Sequence, residues 1–148
     1  MNGVPTLLLP VGHDLYALPV EWAREVVAAP AVTPLATAPA VVLGLFNLRG
    51  QIVPLLDTAT LLDVGPAGPM AFAVVVSCAE GPVGLATTAI PQRAVLDASI
   101  GPSELAGTAG LYQVGQRIAA LLDPGTLLTP DRVAGRAPRG DLLTAAGY

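Results

Sequence analysis

The chain has 148 residues, a formal net charge of −4, only 12% charged residues and a mean hydropathy of +0.64. That length suits one domain with a sizeable core, yet the longest apolar runs, such as Met70–Val76, fall far short of the roughly 20 residues a membrane helix needs. All seven basic residues are Arg and they do not cluster, so the counterion release that drives nucleic-acid binding has no source.

Along the chain, two apolar runs, Thr6–Val11 and Leu15–Leu18, flank Gly12-His13-Asp14 and predict a β-hairpin. Pro19 suits a first helical turn, and Val20–Val27 carries apolar residues at helical spacing, so one or two helical turns are expected. Val26, Val27, Val32 and Thr33 also fit a strand interrupted at Pro30, and the boundary stays open. After a Pro/Ala connection from Pro34 to Pro39 comes Val41-Val42-Leu43-Gly44, and the segment from Leu45 to Asp57 then reads as two strands joined at Arg49-Gly50, with Pro54 marking an edge or bulge. Thr58–Asp63 reads as a short helix capped by Asp57 or Thr58, whose side-chain oxygens can accept from free backbone N–H groups. Val64–Pro69 is a Gly/Pro linker between two halves.

Beyond the linker, strands are expected at Phe72–Ser77 and Val83–Leu85 around a turn at Ala79–Pro82. Thr87–Leu96 is ambiguous, and a loop through Gly101-Pro102 and Gly107 leads to strands at Leu111–Val114 and Ile118–Leu122. The second half restates the first. Gly44-Leu45 aligns with Gly110-Leu111, Ile52 with Ile118, Leu55-Leu56-Asp57 with Leu121-Leu122-Asp123, and Thr60-Leu61-Leu62 with Thr126-Leu127-Leu128, all at an offset of 110 − 44 = 66. Leu18 aligns with Leu85 at 85 − 18 = 67. A register shared through a strand, an Asp and a Leu-Leu pair predicts two related β-subdomains. The residues from Arg132 onward read as a loosely docked tail.

Few residues offer chemistry. His13 lies in a predicted turn with no second His nearby, and a solvated turn histidine is favoured over a metal ligand or base. Cys78, the single cysteine, ends an apolar run and reads as a buried inert thiol. Asp57 and Asp123 read as repeated helix caps rather than paired catalytic carboxylates. Trp22 reads as core before interface anchor. Ser77 and Ser103 stand in no Gly-x-Ser-x-Gly frame, and no Gly-rich phosphate loop is present. With one His, one Cys, no Lys and no clustered acids, catalysis has few candidates, so no enzyme, metal or cofactor is expected. The N-terminus lacks a basic region and a long apolar core; no signal peptide is expected, and the cytoplasm is the default.

The segment Gly44-Leu45-Phe46-Asn47-Leu48-Arg49-Gly50-Gln51-Ile52-Val53-Pro54-Leu55-Leu56-Asp57 resembles the signature of the CheW coupling proteins: a Gly, then Asn-Leu-Arg-Gly, an apolar pair, Pro, two more apolar residues and Asp. Tyr16-Ala17-Leu18-Pro19, Glu25-Val26, Gly84-Leu85 and Leu121-Leu122-Asp123 extend the resemblance over about residues 5–133. It departs at Thr87-Thr88 and Ile90–Arg93, where the family often carries Val-Asp and then Val-x-Glu-Val, which puts partner contacts of the second half in question more than its fold.

The resemblance implies a mainly β fold of two SH3-like five-stranded β-barrel subdomains with short helices. It implies one domain over about residues 1–135, with subdomains near 12–66 and 70–125 that exchange strands, and a tail from 136 to 148. It further implies a non-enzymatic scaffold that couples chemoreceptor cytoplasmic tips to the regulatory domain of a CheA-type histidine kinase, without membrane insertion. Arg49 and Glu25 then belong to the partner surface, with Ala23 and Gly44 in the same region. The guanidinium of Arg49 could grip a partner or brace the hairpin internally through Glu25, and both readings stand. A pathway controlling type IV pilus motility would use the same module. A small-molecule carrier is the alternative of a different class, although small barrels normally fill their interiors with side chains.

Overall fold

Leu7 faces Leu18 and Leu9 faces Tyr16 across the hairpin of β1 (Val4–Val11) and β2 (Asp14–Pro19). The turn runs through Gly12 at φ +63, where a side chain would press on Ala67. This is a computed structural model, and it describes residues 3–134. The 136–148 tail expected from the sequence lies outside the described residues.

The helical turns expected after Pro19 stop early. A single 3-10 turn, Val20–Trp22, gives way to β3 (Ala23–Ala28), in which half-buried and exposed residues alternate. Period two wins over period 3.6 because β3 pairs along β6 (Phe72–Cys78), whose Ala73–Val76 are fully buried. Val26 and Val27 are β-branched and favour the extended backbone. The remaining strands are β4 (Val42–Leu48), β5 (Gln51–Leu56), β7 (Gly81–Thr87), β8 (Gln92–Leu96), β9 (Ser99–Gly101), β10 (Thr108–Val114) and β11 (Arg117–Leu122). The ambiguous stretch after Thr87 thus holds a strand, because Gln92–Leu96 extends along β1. Three four-residue helices complete the described residues: α1 (Thr58–Leu61), α2 (Pro124–Leu127) and α3 (Pro130–Val133).

Hydrogen bonding sorts the strands into two sheets, in the orders β8-β1-β2-β11-β10-β9 and β3-β6-β7-β5-β4. The fold is mainly β, as expected, and the two sheets are the two SH3-like units. Their ladders do not run continuously around a barrel. Instead, each sheet is tied across its open side by a short strap: Thr33 bridges Leu45 of β4, and β9 lies on β10 through Leu111 and Tyr112. Leu45 and Leu111 are the same position of the repeat, so the strap is repeated too.

Each sheet mixes the two halves. The hairpin β6–β7 lies between β3 and β5, and the hairpin β1–β2 lies between β8 and β11. The parallel contacts obey the repeat: Leu55 pairs with Gly84, and Leu121 with Ala17, displaced by 121 − 55 = 66 and 84 − 17 = 67. Pro54, in the interior strand β5, pairs with Leu45 of β4 and lies one residue before the β7 ladder begins. The bulge expected there belongs to β4 instead, where the register shifts between Val42 and Gly44.

Between the sheets lies one central core. Leu9, Leu18, Leu56, Val74 and Leu85 are fully buried there, with Leu122 and Leu127 at 1% exposure. These side chains pack the interior between the sheets. The two aspartates hold the helix starts differently from the expected cap. Their carboxylates accept from the hydroxyls of Thr60 and Thr126, each at 2.9 Å, rather than from backbone N–H groups. The backbone carbonyls of Asp57 and Asp123 accept from Leu61 and Leu127. The feature is repeated, with Thr as the donor.

Candidate functional site: the Arg49–Glu25 clasp

The β4–β5 turn needs two left-handed residues, and Arg49 at φ +50 and Gly50 at φ +90 supply them. Leu48 is buried just before the turn, and the side-chain oxygen of Asn47 accepts from the N–H of Gly50 at 2.8 Å. With Leu48 anchored, Arg49 must project outward, and its side chain is 68% exposed.

From there the guanidinium reaches β3, the strand at the opposite edge of the same sheet. Nη1 donates to Glu25 Oε2 at 2.9 Å and Nη2 donates to Oε1 at 2.5 Å, a two-point fork that a lysine could not reproduce. Glu25 is 29% exposed. The hydrogen bond from Arg49 lowers the carboxyl pKa of Glu25; partial burial opposes this, and the charges of Arg49 and Arg24 reinforce it. The pair therefore presents as a charged, solvent-facing clasp across the open side of the sheet.

The other two expected site residues are placed differently. Ala23, at the start of β3, is half-buried and packs against the central core. Gly44 is buried at φ +154, where a Cβ would stand 2.4 Å from the Thr33 carbonyl oxygen. Its position belongs to the strap, so it shapes the surface from beneath. Near the clasp, Ile52 stands opposite Asn47 and is 57% exposed, an apolar surface residue that the site reading from sequence misses. Alternation along Gln51-Ile52-Val53 is the signal that reveals it, since Val53 is fully buried and its neighbours must face out.

Elsewhere, His13 is exposed in its turn, and its carbonyl accepts from Arg117. Among the described residues no three His, Cys, Asp or Glu side chains gather as metal ligands. Trp22 is half-buried against the central core. Cys78 is half-buried, and burial together with the charge of Glu80 pushes its thiol pKa up, away from the reactive thiolate.

The second half offers a comparison built into the molecule. The position equivalent to Arg49 is 49 + 66 = 115, a glycine at φ +59, and Gln113 there donates to the Gly115 carbonyl in the place of Asn47. Among the described residues that turn forms with no ion pair. The CheW-like domain family matches residues 5–131 of the chain. The chain belongs to that family.

CheW-like domains form a chemotaxis scaffold and adapter family rather than an enzyme family. The chain is 38% identical over 47 residues to the chemotaxis protein CheW of Treponema pallidum, covering 32% of this chain and 28% of that one. It is 32% identical over 66 residues to the "Probable chemotaxis protein CheW" of Rhizobium etli, covering 45% and 43% respectively. These alignments span well under two thirds of either relative. The crystal structure of the scaffolding protein TtCheW from Thermoanaerobacter tengcongensis superposes with a TM-score of 0.71, over 82% of this chain and 89% of that one, at 22% identity. The likeness establishes the two-sheet CheW fold for this domain. No helix among its described residues is long and apolar enough to cross a membrane.

Proposed function

We propose that this CheW-like domain couples the cytoplasmic tips of chemoreceptors to the regulatory domain of a CheA-type histidine kinase, acting by binding alone. On this reading it works in the cytoplasm, on the inner face of receptor arrays, and the Arg49–Glu25 clasp is part of the surface a partner grips. The observation that carries the reading is the asymmetry of the repeat. One hairpin turn holds an exposed two-point ion pair, while its equivalent at Gly115 has no ion pair among the described residues, so the turn itself does not demand the pair. In a chain with so few charges, an exposed arginine held in one orientation is set up for recognition. Ile52 beside it adds apolar area that a partner can cover.

The test is a binding measurement with purified receptor tips and kinase regulatory domain from the same cell. The wild-type chain should bind both, and Arg49→Ala should weaken at least one. A wild-type chain that binds neither would overturn the coupling role.

A further inference from the structure

Two strands depend wholly on the other half of the chain. Among the described ladders β3 pairs with β6 alone, and β8 pairs with β1 alone. The parallel contacts of β5 and β11 also go to strands of the opposite half. The central core follows the same division, since Leu9, Leu18 and Leu56 from the first half close against Val74, Leu85 and Leu122 from the second. Each half is thus a pair of outer walls with a slot between them, and each slot holds the other half's hairpin.

The covalent link between the halves contributes little to this arrangement. Backbone hydrogen bonding pauses between Val64, whose N–H donates to Ala59, and Ala71, whose N–H donates to Thr87. Within the linker, Ala67 packs against Gly12, but Gly68 is exposed at φ +99 with nothing within 4 Å of a Cβ placed on it.

We propose that the two halves of this chain are each other's binding partner. A chain opened at Gly68 remains a folded one-to-one complex, while neither half is a folded unit by itself. The interface is the pair of hairpin slots, recognised by parallel β-pairing in the repeated register and by the shared core. This is independent of what the domain binds in the cell.

The experiment inserts a protease recognition sequence between Gly68 and Pro69 of the full chain and cuts it after purification. Both fragments should elute together at the volume of the uncut protein, with the far-ultraviolet circular dichroism unchanged. The melting temperature of the cut protein should fall on dilution, because unfolding now releases two molecules, while that of the uncut protein should not. A second insertion, between Gly65 and Pro66, covers the case in which the first disturbs folding. Fragments that elute apart, or a single fragment that refolds alone from urea with a cooperative transition, would overturn the proposal. So would unfolding of the uncut chain by both insertions, since the linker would then be part of the fold.

Discussion

Arg49 occupies a left-handed backbone region uncommon for non-glycine residues, and its side chain still makes a two-point contact with Glu25. Exposed ion pairs contribute little to folding, because water and salt screen them and two long side chains must be ordered. Arg49→Ala should therefore leave the melting temperature within error of wild type while lowering affinity for a partner. Arg49→Lys, which keeps the charge and loses the fork, should bind only part-way between the two; wild-type affinity in both variants removes Arg49 from the site. Gly44 behaves oppositely. A methyl group there meets the Thr33 carbonyl oxygen at 2.4 Å on a backbone few side chains adopt, so Gly44→Ala should cost about 1–3 kcal/mol in urea unfolding. Its repeat equivalent Gly110 is looser, since a methyl group there would find its nearest neighbouring atom at 3.4 Å, so Gly110→Ala should be the milder change.

Tyr16 supplies a pH test at the same scale. The residue is 4% exposed, and burial, with the charge and hydrogen bond of Asp14 adding to it, pushes the phenol up to about 12. Below pH 10 the folded and unfolded chains both keep the proton, so this contribution to stability is fully present. Between about 10 and 12 the unfolded chain loses the proton first, and stability should fall as pH rises through that window. Following phenolate absorbance during alkaline titration checks this: one tyrosine should ionise late, near the unfolding transition. Asp14→Asn should bring it earlier.

At the scale of elements, most strands are legible because their signals are local. Alternation, Gly/Asp turns and the Asn-Leu-Arg-Gly turn place β1, β2, β4 and β5 from residues a few positions apart. The stretches that mislead are those whose partners are remote in sequence. Val20–Val27 shows a helical spacing that loses to pairing with Phe72–Cys78, and Gln92–Leu96 becomes a strand by lying along β1. The site divides in the same way. Family resemblance singles out Arg49 and Glu25, and their contact across opposite sheet edges follows from curvature that no local pattern encodes. Gly44 carries a conformational signal, and only the strap at Thr33 tells how closely another segment of the chain approaches it. Asp57 and Asp123 are readable as a repeated feature, whereas their choice of a Thr hydroxyl over backbone N–H depends on side-chain geometry.

At the scale of the whole molecule, the exchange of hairpins decides how the domain unfolds. Leu18 lies in β2, within the six-stranded sheet, and Leu85 lies in β7, within the five-stranded sheet, yet both are fully buried in the same central core. Were the sheets independent domains, shortening each leucine would weaken its own sheet and split the unfolding curve into two steps. With one core and crossed hairpins, either loss must be felt by both sheets. Leu18→Ala and Leu85→Ala should each cost about 2–5 kcal/mol, the range for a buried leucine whose cavity cannot fully collapse. Each should shift the urea midpoint of a single transition while leaving its slope unchanged. Tryptophan fluorescence from Trp22, beside the central core, and far-ultraviolet circular dichroism should report the same midpoint in both variants. Midpoints that separate in either variant would mean that the sheets unfold one at a time. Coincident midpoints mean that the two sheets unfold as one unit, as crossed hairpins around a single core require.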